Sequence, residues 1–386
     1  MTDRPTPVPV PLRPFVAAVP DEDVRDLRAR LARTRWPDPE TVPDWSQGVR
    51  TEHARDLVDH WLHRYDWRRF ETALNRHPQF LTEIGGLDVH FLHVRSPHAD
   101  AMPLLLTHGW PGSVADFLPM IDPLTDPVAH GGRAEDAFDV VVPSLPGFGF
   151  SGKPTRTGWD AGRTAAAWAT LMHRLGYPRW VAHGGDWGSV VTTTLAATHA
   201  EGLLGIHLNT PYAVPEHIPA PLSPAEQHAV DTLAEYAGVL GGSNHLQGTR
   251  PQTPGFALAD SPVGQAAWIY DKFQSKTDTT GLAEDAIPVD TILDTISLSW
   301  FTNSAASSAR IYWENRGATM AGPELTLPVA VTVFPKDVPL LPRSWIADKY
   351  HDLVHFSLAD RGGHFAALEQ PALLVDELRI GFRSVR

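Results

Sequence analysis

The stretch "RWVAHGGDWGSVVTTTLAATHA", residues 179–200, carries the strongest architectural signal in the chain. A β-branched and apolar run reaches Gly184 and Gly185, meets Asp186 and then Gly188, and passes into a helix-like segment. The spacing G-x-D-x-G puts small residues two positions either side of Asp186. A side chain raised at a corner between strand and helix needs them, because the turn is sharp. The helix that follows aims its N-terminal N–H groups at the same point and favours an anion there. A serine at such a corner must lose its proton before attacking an acyl carbon. An aspartate is already ionised at pH 7 and can displace at an sp³ carbon. That leaves an alkyl ester on the protein, which water must then hydrolyse. The simpler alternative for Asp186 is a helix N-cap.

On either side of this corner, strand-like runs stand at 87–96, 102–109, 137–147, 179–185 and 203–211. The alanine-rich helical pattern "AGRTAAAWATLMHRLG" lies between the third and fourth. This alternation predicts βαβ units and a mostly parallel sheet flanked by helices. Residues 212 to about 320 break the rhythm and read as a helical insertion. The alternation returns with "LTLPVAVTVFP" (325–335), followed by a helical stretch, "LVHFSLADRGGHF" and a last helix from Pro371. Ahead of the sheet, a Pro-rich arm (1–14) precedes a mostly helical, Trp-rich region. The expected organisation is an N-terminal region over 1–85, a first core half over 86–211, a cap over 212–320 and a second core half over 321–386. The fold class is the α/β-hydrolase.

That architecture runs nucleophile, acid, histidine along the chain. His364, in "LADRGGHFAALEQP", follows a strand and a Gly-Gly turn and is the expected base. Asp337, just beyond the strand in "VAVTVFPKDVPL", can hold the imidazole tautomer. Asp360 and Glu369 are nearer in sequence but belong to a strand end and a helix start. "LLLTHGWPGS" (104–113) is a strand followed by a Gly/Pro turn, which nominates the N–H groups of Trp110 and Trp187 as an oxyanion hole. "GFGFSG" (147–152) matches G-x-G-x-x-G, but no amphipathic helix follows, so a dinucleotide cradle is not expected.

The bulk numbers narrow the class. With no cysteine, disulfides, thiolate metal sites and a cysteine nucleophile are excluded. A formal net charge of -13 argues against nucleic-acid or anionic-membrane partners. The sequence shows no membrane-spanning run and no signal-peptide pattern at its start, so a soluble, cytoplasmic protein is expected. No cofactor or metal is called for. A homodimer is compatible with the composition but not implied by it.

The stretches "TRWPD", "DWRRFETALNRHPQFLTEIGGLDVHFLHVRS", "THGWPGS", "PSLPGFGFSG", "HGGDWGS", "TRPQTPGFALADSPVGQAAWI", "SSARIYWEN" and "DRGGHFAALEQP" resemble the microsomal-type epoxide hydrolases over nearly the whole chain. The resemblance implies Asp186 as nucleophile, His364 as base and Asp337 as its acid, with an epoxide and water as the small-molecule partners. It also implies that Tyr312 hydrogen-bonds the epoxide oxygen as the ring opens. The family's second tyrosine falls on Ser243, a far weaker acid than tyrosine. Ser243, His245 and Trp110 are expected to line the substrate pocket. Tyr312 then works alone, or Tyr236 or His245 moves in, or ring opening is lost. Two rival readings remain: a haloalkane dehalogenase, for which Trp187 could bind halide, and a catalytically silent member that binds an apolar ligand.

Overall fold

The computed structural model describes residues 11–218 and 220–386. Among the described residues, nine strands form one sheet: β1 (Arg13–Phe15), β2 (Gln79–Ile84), β3 (Leu87–Val94), β4 (Met102–Thr107), β5 (Phe138–Pro143), β6 (Trp180–Gly184), β7 (Leu203–Leu208), β8 (Leu325–Val333) and β9 (Tyr350–Leu358). Their order across the sheet is β1-β2-β3-β5-β4-β6-β7-β8-β9. The first three strands run antiparallel to their neighbours, and everything from β5 to β9 is parallel. This is the α/β-hydrolase architecture.

The central strands are apolar on both faces because both faces are covered. Leu104, Leu105 and Leu106 in β4 and Val140, Val141 and Val142 in β5 are fully buried. Two cores result. One, on the face carrying the helix Ala161–Arg174, gathers Trp168, Trp180 and Trp345. The other joins Phe138 and Phe382 to the N-terminal helices and the capping helices.

Between β7 and β8 the chain leaves the sheet and builds helices over Pro224–Glu235, Gly242–Thr249, Gln252–Asp260, Pro262–Lys276, Val289–Phe301 and Ala305–Glu314. The N-terminal helices Thr51–His63 and Trp67–Asn75 clasp this insertion. The Trp61 indole donates to Ser297 Oγ at 2.9 Å, and the Tyr65 hydroxyl donates to Asp294 at 2.7 Å. Arg69 adds an ion pair to the same carboxylate, so the buried Asp294 charge has a partner.

Two elements differ from the sequence reading. Residues 79–84, read as the end of the helical region, form β2, which pairs along its whole length with β3. Part of the expected N-terminal arm, Arg13 and Pro14, lies in β1 against β2, while residues 1–10 of that arm lie outside the described residues. A three-residue strand leaves no period to detect, and β2 alternates too weakly to stand out from the helix before it. Among the described residues, no helix is long and apolar enough to cross a membrane.

Candidate active site

All four functional loops leave the C-terminal ends of parallel strands: β4 delivers Trp110, β6 Asp186, β8 Asp337 and β9 His364. In open parallel sheets this is where ligands bind. Asp186 takes φ +50° and ψ -126°, a positive-φ conformation that few non-glycine residues adopt. Its neighbours explain how the corner is tolerated. A Cβ on Gly184 would sit 2.1 Å from the Gly188 carbonyl oxygen, and one on Gly188 would sit 1.9 Å from that of Thr107. Only glycine lets the elbow fold this tightly against β4.

Asp186 does not cap the helix Trp187–Ala197 with its side chain. The carboxylate instead turns to the site. Oδ1 accepts from the Trp110 N–H at 2.9 Å, and Oδ2 lies 3.5 Å from His364 Nε2. The simple N-cap alternative is thereby removed. His364 Nδ1 lies 2.6 Å from Asp337 Oδ1. Asp337 is buried, at 2% exposure, and is held by the Thr210 hydroxyl at 2.7 Å and the Val338 N–H at 2.8 Å. Asp337, His364 and Asp186 therefore lie in one line, the first contact a hydrogen bond and the second an ion pair.

The electrostatics follow from that line. Burial and the Lys276 charge pull the His364 imidazole down, but Asp337 and the hydrogen bonds to both aspartates outweigh them and lift it to about 9. Burial pushes the Asp186 carboxyl up, yet the His364 contact, the Lys276 charge and the Trp110 N–H hold it below the usual carboxylate range. The arrangement favours an imidazolium beside the two aspartates. Burial, and then the Asp186 charge, push the Tyr312 phenol well above its ordinary value, so it stays protonated and able to donate.

Tyr312 packs against two indoles, those of Trp110 and of Trp187, the residue after Asp186. Its ring meets Trp187 edge-on at 4.9 Å and Trp110 at 5.9 Å. The Trp187 N–H, first in its helix, has no acceptor among the described residues, while that of Trp110 holds Asp186. Ser243 lies on the capping helix Gly242–Thr249, with its Oγ buried and without a hydrogen-bond partner. His245, expected in the pocket, is exposed instead. Ser243 and His245 are two apart on a helix, so they face different sides and only one can look inward.

The sequence reading overlooked Asp116 and Lys276, and weighed Glu369 only as an alternative acid. Asp116 lines a cavity of about 50 Å³ beside Asp186, together with Gly109, His183, Asn209 and His364. That is room for water beside the imidazole. Lys276 ends a capping helix, is 6% exposed, and accepts the His364 N–H on its carbonyl at 3.0 Å. Glu369 accepts from the N–H groups of Phe365 at 3.0 Å and Asp278 at 2.8 Å. Asp278 in turn accepts from the Gly362 N–H at 2.8 Å. The loop carrying the base is thus tied to the capping segment 276–278. No spacing rule finds these residues, because each acts through contacts between distant parts of the chain.

A carboxylate on a strand–helix elbow, in line with an Asp–His pair, stands where α/β-hydrolases carry their nucleophile. The comparisons narrow the class. Residues 12–117 match the epoxide hydrolase N terminus, and residues 102–240 the α/β-hydrolase fold. A protein of Stigmatella aurantiaca provisionally assigned as an epoxide hydrolase is 56% identical over 97% of this chain and 86% of its own. Epoxide hydrolase 1 of Oryctolagus cuniculus is 33% identical, covering 95% of this chain and 88% of its own. The structure of Aspergillus niger epoxide hydrolase superposes with a TM-score of 0.87 at 33% identity, over 98% of this chain and 97% of that one. The chain belongs to the microsomal-type epoxide hydrolase family.

Proposed function

We propose that the protein opens an epoxide to a vicinal diol in two steps, with Asp186, Asp337, His364 and Tyr312 as its catalytic residues. Asp186 Oδ2 attacks one epoxide carbon, the C–O bond breaks, and Tyr312 donates to the oxygen as it gains charge. The product of this step is an alkyl ester on Asp186. His364, held by Asp337, then takes a proton from water, which attacks the ester carbonyl. The Trp110 and Trp187 N–H groups face the oxyanion that forms there. Collapse releases the diol and restores the carboxylate. Family membership supports the reaction class. The observation that carries the mechanism is the continuous line from Asp337 through His364 to Asp186, at 2.6 and 3.5 Å.

The charge balance supports the division of labour. In the resting site His364 is protonated and cannot act as a base, which suits a first step needing none. Esterification removes the Asp186 charge, one of the groups that lift the imidazole. The histidine then loses its proton more readily, at the stage where a base is required.

The direct test is intact mass on His364→Gln after incubation with styrene oxide and with 1-chlorohexane. A stalled adduct of epoxide mass mapping to Asp186 is the expected result. An alkyl adduct with loss of halide would make the protein a dehalogenase, and an unmodified Asp186 with both compounds would remove its assigned role.

A further inference from the structure

Lys276 is a buried cation that the two-step scheme leaves unused. Its side chain is more than nine-tenths buried at the end of the capping helix Pro262–Lys276. Among the described residues, Nζ makes no hydrogen bond and has no carboxylate within 4.0 Å. The neighbouring Lys272, by contrast, pairs with Asp271 at 2.9 Å. The Lys276 ammonium lies over the face of Tyr236, with Nζ 5.4 Å from the ring centroid. An aromatic face offsets only part of the cost of burying a charge.

The position of Lys276 is fixed by the catalytic machinery itself. Its carbonyl accepts the N–H of His364 at 3.0 Å. Its charge reaches Asp186, Asp337 and His364. On the far side, burial and then the charges of Asp186 and Asp337 push the Tyr236 phenol up, so the lysine and its aromatic neighbour both feel the same two carboxylates.

We propose that Lys276 is a second electrophile for ring opening, facing the epoxide oxygen together with Tyr312 and delivering a proton to the alkoxide. This rests on Asp186 being the nucleophile. Charge conservation selects the alkoxide over a fixed anionic group on the substrate. Before reaction the Lys276 charge is balanced by Asp186, and a substrate carboxylate would have to enter beside that same anion. During ring opening the negative charge leaves Asp186 and moves onto the oxygen, so the ammonium is never left without a counter-charge. An ammonium here also answers the weakness of Ser243, whose hydroxyl is a poor acid.

The proton balance closes over the cycle. Asp186 Oδ2 forms a bond to carbon, the C–O bond breaks, and its electron pair stays on oxygen. An Nζ–H bond of Lys276 breaks as the O–H bond forms, leaving a neutral amine. In the second step the His364 imidazolium first gives its proton to the neutral amine; the freed imidazole then takes a proton from water as hydroxide adds to the ester carbonyl, and passes it to the departing alcohol oxygen. The proton released as Asp186 regains its charge returns to His364, 3.5 Å away, and restores the resting imidazolium. Burial lowers the Lys276 pKa further than the nearby carboxylates raise it, which makes the ammonium a readier donor.

The test separates the two chemical steps. Lys276→Met keeps the length of the side chain and removes its charge, and Lys276→Arg keeps the charge on a weaker acid. Rapid-mixing single turnovers with styrene oxide give the alkylation and hydrolysis rates, with thermal unfolding as the check on folding. Expected is an alkylation rate down on the order of 10²-fold in Lys276→Met. Hydrolysis of the preformed ester and substrate affinity should change little, and Lys276→Arg should fall between. If Lys276→Met destabilises the fold, Lys276→Gln carries the same test. Unchanged alkylation in a folded variant overturns the proposal while leaving Asp186 in place. So does a defect confined to KM for phenylglycidate, an epoxide carrying a carboxylate, because the cation would then serve binding. An absent Asp186 adduct in His364→Gln would overturn both the mechanism and this role for the lysine.

Discussion

His364 Nδ1 lies 2.6 Å from a carboxylate oxygen of Asp337 that also accepts the Val338 N–H, while the other Asp337 oxygen takes the Thr210 hydroxyl. The acid is held from three directions, so its task is to fix the imidazole rather than to move. Asp337→Asn should keep the alkylation step and slow ester hydrolysis by about 10²- to 10⁴-fold, because an amide can favour the wrong tautomer. Single-turnover kinetics that show equal loss in both steps would contradict this.

Hydrolysis should be pH-dependent in a way that reports the missing charge. In the resting protein His364 is lifted to about 9. In the ester one of its two anionic neighbours is neutral, so the apparent pKa governing hydrolysis should lie below that value. The hydrolysis rate should rise with pH through this lower pKa and then level. A rate that rises only above pH 9 would show that Asp186 does not support the imidazolium.

Stability carries the same signature with a definite sign. A histidine whose pKa rises from about 6.5 to about 9 on folding contributes stability that is fully present below pH 6.5 and is lost as pH rises through 9. The Asp186 carboxyl, held low, contributes above the usual carboxylate range and loses its share as pH falls through its lowered value. The two shifts largely describe one ion pair. Thermal unfolding of the wild type should weaken between pH 6.5 and 9, by roughly 3 kcal/mol at most, and His364→Gln should flatten that decline. Parallel curves for the two proteins would argue against the pair.

Tyr312→Phe should lower the alkylation rate by about 10²-fold and leave hydrolysis of a preformed ester nearly intact. The ring would still fill the gap between Trp110 and Trp187. Full turnover in this variant would remove Tyr312 from the mechanism.

The elbow should not accept a methyl group. Gly188→Ala would place a Cβ 1.9 Å from the Thr107 carbonyl oxygen, a contact that forces β4 and the nucleophile turn apart. Expected is a loss of about 3 kcal/mol or failure to fold. Chemical denaturation measures this, and a native-like midpoint would show that the turn can relax.

What can be read from the sequence is what local geometry dictates. The G-x-D-x-G elbow is set by residues within four positions, and the order nucleophile, acid, histidine follows from how a parallel sheet is wound. Asp186, Asp337 and His364 are therefore within reach. The outward orientation of His245 is not, because the rotation of a short capping helix is set by packing and not by its own composition. Lys276 is invisible for a related reason. A lysine in the last turn of a helix is ordinarily a solvated residue that suits the dipole. Only the fold shows that this helix ends against the catalytic loop. The antiparallel edge β1–β2 escapes because its pairing joins residues more than 60 apart.

The ties between Lys276, Asp278 and Glu369 and the loop carrying His364 have a mechanical corollary. The roof of the chamber and the arm that holds the base are riveted together. Lifting this part of the roof to admit substrate would carry the imidazole away from Asp337, so traffic has to pass elsewhere in the helical cover. A loosened rivet, as in Asp278→Ala, would then register as a misplaced base rather than as a leaking chamber.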